Sequence, residues 1–257
     1  MSKRPNRSAA RVAVRPAPVP PLYRFGLQFF AVFSLAMLLA FWPSYFSRLG
    51  SQPSLHPHAH GLTMTLWVGL MVSQAWLIRS GNRATHRKAG LLSYALVPSL
   101  VVAALTFMHY RLSGVAVLDD PALYFMALVV NALVAFLVLY GLAMWFRRQP
   151  AIHARFMIAA LFPFFTPVTD RLIGRYVPAI VPLVPRIGGS PVVPTAGFLL
   201  ADVMLIALSV WDWRTNQRRV FPIALAVLVL YHASVLTFYQ FGFWRAFGEW
   251  FLSLPLS

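Results

Sequence analysis

Between Phe25 and Phe46 the chain runs for 22 residues without a charged side chain, and runs of this kind recur along its length. A helix must supply about 20 mainly apolar residues to cross a hydrocarbon core of about 30 Å. Seven segments meet that demand. They are about Phe25 to Phe46, His60 to Ile78, Leu91 to Tyr110, Ala122 to Phe146, a fifth starting near Phe156, Ala196 to Trp211, and Val220 to Phe241. The fifth is the most irregular. Pro163 and Pro167 lie on one face, and Asp170-Arg171 arrives after only about fourteen residues, so a short, kinked span is expected there. In lipid every backbone group must be paired inside its own segment. The expected fold class is therefore all-α: a polytopic transmembrane helical bundle of seven spans. With 59% hydrophobic and 11% charged residues, a soluble globular enzyme and a disordered chain are excluded. Cysteine is absent, which excludes disulfides, a thiolate nucleophile and iron–sulfur clusters.

Orientation follows from the basic residues. Sixteen of the 22 Lys and Arg lie in the N-terminal segment or in the loops after the second, fourth and sixth spans. Arg48, Arg111, Arg171, Arg175, Arg186 and Arg245 lie on the other side. The positive-inside rule then places the N-terminus in the cytoplasm and the C-terminus outside, in a bacterial-type cytoplasmic (inner) membrane. The net charge of +16 sits in short loops beside apolar spans. Anionic lipids at the cytoplasmic face are the expected partner, and nucleic acid is not. A membrane-protein partner or a homo-oligomer is the other partner class expected. Residues 1–21 form a basic, Pro-rich tail expected to be disordered. The transmembrane domain covers 22–251, with a Pro-rich outer loop at 173–195, and 252–257 is a tail.

Ionisable groups inside a span are costly and mark candidate sites. His56, His58 and His60 form H-P-H-A-H-G at the outer mouth of the second span, with Gly61 read as starting the helix. At about 1.5 Å per residue, His60 and His109 are level at the outer boundary. His86 and His153 are level at the inner one. By the same arithmetic Asp202 and His232 lie roughly 9–10 Å below the outer surface, so they are expected to form a hydrogen-bonded interior pair. His58, Asp170, Arg171, Asn131 and Gln74 are the supporting polar candidates. Asp170-Arg171 is expected to be an interfacial ion pair, and Asn131 and Gln74 to join helices. Trp67, Trp76, Trp145, Trp211 and Trp213 fall near span ends, where an aromatic belt accounts for them. Phosphate-loop, nucleophile-elbow and H-E-x-x-H motifs are missing. Glu249 is the sole glutamate among six acids, which excludes a Glu-based di-iron centre and leaves little for an ion-driven carrier.

His60-Gly61, Trp67, Gln74, His86-Arg87 and Gly90, followed by His153-x-Arg155-x-Met157, make an H-G…W…Q…H-R-x-x-G pattern. Over residues 55–175 it resembles a group of bacterial multi-pass membrane proteins, similar in style to the multi-His proteins of cytochrome oxidase assembly. The resemblance implies a metal- or haem-related role for His60, His86 and His153. A second likeness is to membrane b-type cytochromes, whose paired histidines on neighbouring helices ligate haem near each face. The level pairs His60/His109 and His86/His153 would suit two such layers. The function expected is thus a haem- or metal-binding redox or respiratory-assembly protein, with haem b or a His-ligated metal as cofactor. The alternatives are a transporter or proton relay built on Asp202–His232, and an accessory subunit without chemistry of its own. Whether the chain is an enzyme stays open.

Overall fold

The computed structural model describes residues 21–115 and 117–256. The basic N-terminal tail, apart from Pro21, lies outside the described residues. The described residues are 81% helical. Among the described residues seven helical segments are long and apolar enough to cross a membrane, so this is a multi-pass membrane protein. In order, the helices are α1 (Pro21–Phe41), α2 (Leu55–Arg79), α3 (Arg83–Gly90), α4 (Ser93–Leu112), α5 (Asp120–Trp145), α6 (Pro150–Ala159), α7 (Phe165–Tyr176), α8 (Pro194–Asn216), α9 (Val220–Thr237) and α10 (Gly242–Leu252). Helices α3 and α4 together make the third span, and α6 and α7 the fifth.

Local chemistry sets the ends. Ser54, not His60, caps α2: its hydroxyl accepts the His56 N–H at 3.3 Å. The helix therefore begins five residues earlier than its hydrophobicity suggests, with Pro57 tolerated in the first turn. Asp119 caps α5 by accepting the Ala122 N–H at 2.9 Å. Gly81, at φ 79°, reverses the chain between α2 and α3, and the Asn82 side chain caps α3 through Thr85 N–H at 3.2 Å. Helix α8 continues past Trp211 to Asn216 and closes on Gln217 in the left-handed region, φ 53°. That extension carries Asp212 into the bundle instead of leaving it in a loop.

The fifth span is broken, as its prolines require. Helix α6 ends at Ala159, a 3₁₀ turn covers Phe162–Phe164, and α7 resumes at Phe165. This is the innermost span: 67% of its apolar window is buried, against 28–44% in the other six. Irregular backbone at membrane depth is tolerated where protein surrounds it, and here α1, α5, α8 and α9 do so. The break feeds an aromatic core in which Phe162 stacks on Phe165 at 4.8 Å and on Phe29 at 5.5 Å. Phe136 meets Phe164 at 4.8 Å.

The Pro-rich stretch is shorter and more ordered than a loop over 173–195. Helix α7 runs through Tyr176, a 3₁₀ turn spans Pro178–Leu183, and β1 (Arg186–Ile187) pairs antiparallel with β2 (Ser190–Pro191). Ile187, Val192 and Val193 are buried against the bundle. Trp67 departs from the belt reading. It is 1% exposed and packs edge-on to Phe136 at 5.1 Å and Tyr140 at 5.7 Å, because α2 turns that face inward. Trp76, Trp145 and Trp213 do lie on the outside.

Candidate functional site

Polar side chains inside the bundle gather toward its two ends. One group lies at the face of the α2–α3 and α5–α6 turns, called here the basic face. The short helix α3 folds His86 back against the main chain of Gln74, and α6 begins with His153 in its first turn. The two imidazole centroids are 6.4 Å apart at an interplanar angle of 79°. His153 Nδ1 is 2.8 Å from the Ala143 carbonyl oxygen. A carbonyl only accepts, so Nδ1 carries the proton and neutral His153 keeps its lone pair on Nε2. His86 Nδ1 and Gln74 Nε2 are buried without a hydrogen-bond partner. Gln74 shares the inward stripe of α2 with Trp67 and Met71, and its Oε1 lies over Gly90. Beside them Ser93 Oγ bonds the Gly90 carbonyl at 2.7 Å and Tyr140 Oη at 2.8 Å. Of the sequence pattern, Gln74, His86 and Gly90 gather at this end of the bundle, while Trp67 lies deeper along α2, His60-Gly61 lie at its far end and Arg87 is exposed.

Two residues beyond His153, on the same helix, Arg155 turns toward α8. Its Nε and Nη2 donate to the two carboxylate oxygens of Asp212 at 2.8 and 2.5 Å, and Nη1 donates to the Ala151 carbonyl at 2.7 Å. Asn216 Nδ2 adds a bond to Asp212 at 2.9 Å. The side chains are 4% and 0% exposed. Sequence reasoning missed this pair, having counted Arg155 as a loop cation and ended the sixth span before Asp212. Asp212 lies seven residues after buried Leu205 and eleven after Ala201, on the inward face of α8, a face that the surrounding apolar sequence does not mark.

At the opposite face the structure brings together one expected pair and separates another. His232 Nδ1 and Asp202 Oδ2 are 3.1 Å apart, joining α9 to α8, and Phe198 stacks on the imidazole at 4.1 Å. Asp202 Oδ1 has no hydrogen-bond partner. His60 and His109 do not converge. His60 stacks on Phe107 at 5.3 Å, and His109 packs against Phe251 of α10, also at 5.3 Å. Phe107 and His109 are two residues apart, about 200° around α4, so equal depth leaves the two imidazoles on opposite sides. His56 and His58 diverge in the same way, onto Tyr110 at 4.8 Å and Tyr45 at 6.0 Å. Arg171 does not close on Asp170. It lies 4.3 Å over the Phe41 ring and donates to the Pro167 carbonyl at 2.9 Å, because adjacent helical residues point about 100° apart. Asn131 joins α5 to α9 through Ser234 Oγ at 2.9 Å.

Among the described residues no three His, Asp or Glu converge as ligands for one metal ion. No family model, no curated protein and no solved structure matches this chain.

Proposed function

We propose that this chain is a multi-pass protein of a bacterial-type cytoplasmic membrane that holds haem iron or another metal between His86 and His153, in redox or respiratory-assembly service. The observation that carries the reading is the proximity of the two imidazoles. Two imidazoles sharing one metal at about 2.0–2.1 Å per bond bring their ring centroids to roughly 6 Å, close to the 6.4 Å seen. The Ala143 carbonyl supports it by orienting His153 and fixing its tautomer, the role outer-shell acceptors play for metal-ligating histidine. Two protein ligands without a third suit haem iron, whose equatorial positions the macrocycle fills, or a low-coordinate copper; a structural zinc site takes four. The basic loops make this the cytoplasmic face, where anionic lipids would surround it.

Purified protein from cells supplied with haem and copper is expected to show a Soret band or stoichiometric metal. His86→Ala and His153→Ala abolish it, and Asp202→Asn leaves it intact. A colourless, metal-free preparation rejects the reading. It would favour the second one, a proton relay or transporter centred on Asp202–His232, which the 3.1 Å contact and the unpartnered Asp202 Oδ1 support.

A further inference from the structure

At the face opposite the His86–His153 pair, a cleft of about 390 Å³ opens between the end of α1 and the last turns of α7, lined by Ala40, Ser44, Arg171, Gly174 and Arg175. Arg171 and Arg175 are one helical turn apart and share a face of α7. No carboxylate forms an ion pair with either: the six acids are all described, and their ion pairs are Arg155–Asp212, Asp202–His232 and Asp120–Arg245. Arg171 is held in place from behind, on the Phe41 ring and the Pro167 carbonyl. Its remaining guanidinium donors are free for another acceptor. Helix α7 ends at Tyr176, so Arg171 and Arg175, both exposed, sit in its last two turns, at the level where a span meets the membrane boundary. Asp170, next to Arg171 in the chain, interacts with its charge without closing to an ion pair, so a further acceptor for the guanidinium is favoured. The second cleft, between α4 and α5, differs in that Asp119 lines it beside Arg111.

We propose that the Arg171–Arg175 cleft binds an anionic phosphate carried on a membrane lipid. Two guanidiniums one turn apart match the oxygens of a phosphate diester, which each can engage bidentately. Gly174 has open space above it, so the headgroup can approach the helix backbone. The depth favours a lipid over a free phosphate ion, because a headgroup phosphate lies at the hydrocarbon boundary while its acyl chains need an apolar track. Helix α1 offers one on its outward side: Val32, Leu35 and Leu39 are 67, 59 and 49% exposed at helical spacing and run toward the end of α1 that borders the cleft.

The test uses the full chain in detergent, titrated with short-chain phosphatidylglycerol and followed by native mass spectrometry. Wild-type protein is expected to retain one phosphatidylglycerol selectively over phosphatidylcholine. R171Q/R175Q should weaken retention about tenfold or more, as expected for lost charge-assisted hydrogen bonds. Ser44→Glu, at an exposed turn position, places a carboxylate at the cleft mouth and should have the same effect even if the double variant fails to fold. Equal retention in wild type and Ser44→Glu overturns the proposal, as does equal retention of the two lipids. Inorganic phosphate forms the last arm. Failure to displace the lipid supports a lipid site, and displacement shows a site for soluble phosphate and overturns the lipid assignment.

Discussion

Arg155 and Asp212 bury two charges with every strong hydrogen bond between them satisfied, including the support from Ala151 and Asn216. The desolvation of both ions is offset only while both are present. Asp212→Ala leaves a guanidinium stranded among apolar side chains and is expected to cost about 3–5 kcal/mol, read as a lowered unfolding midpoint in detergent. Arg155→Met with Asp212→Leu removes both charges and should recover most of that loss. If the double variant is as unstable as the single, the pair does more than neutralise itself. Asp202–His232 is less demanding, because the Asp202 side chain is 26% exposed. Asp202→Asn keeps an acceptor oxygen for the imidazole N–H and should cost only about 1 kcal/mol in the same assay.

Helix α7 packs on α8 at Gly197. A Cβ there would run into the Thr169 side chain and come within 3.5 Å of the Thr166 Cα, so the close crossing depends on the missing side chain. Small residues serve helix contacts in membranes in this way, since dispersion replaces the hydrophobic drive. Gly197→Ala should destabilise by about 1–3 kcal/mol through overpacking, and Gly197→Ala with Thr169→Ala should restore most of it. Gly69→Ala is the control: nothing lies within 4 Å of its added methyl, and its effect should stay within about 0.5 kcal/mol. Equal loss at both glycines would show that helix contact at Gly197 is not the cause. The break between α6 and α7 has a related logic. Two half-helices can aim differently, and so α6 delivers His153 and Arg155 to the basic face while α7 delivers Arg171 and Arg175 to the other.

For the whole molecule, seven spans are expected to put the two termini on opposite sides, and the broken fifth span decides that expected parity. With sixteen of 22 Lys and Arg on one side, reporter fusions after Asn216 are expected to be active in the cytoplasm and fusions at the C-terminus outside. A C-terminal reporter active only in the cytoplasm would overturn this topology. After the last span α10 folds back on the bundle, where Trp244 Nε1 donates to the Leu123 carbonyl at 3.0 Å and Phe251 covers His109. This helix packs over α4 and α5 on the side that His109 faces.

What the sequence determined by itself was depth. Span number, the kink at Pro163 and Pro167, and the matched levels of Asp202 with His232 and of His86 with His153 all follow from counting residues at a constant rise against a membrane of known thickness. Azimuth was not legible. Which way a helix faces depends on its rotation against neighbours, and in a chain that is apolar on most sides no amphipathic stripe marks the inner face. His60 and His109 were level yet point apart, Trp67 looked interfacial yet is core, and Asp170 and Arg171 were adjacent yet do not pair. Asp212 shows the other limit. Hydropathy ended the sixth span at Trp211, but a carboxylate met by a guanidinium is carried into the bundle at a cost that hydropathy, which scores residues singly, cannot see. Only tertiary packing could pair Asp212 with a cation 57 residues away.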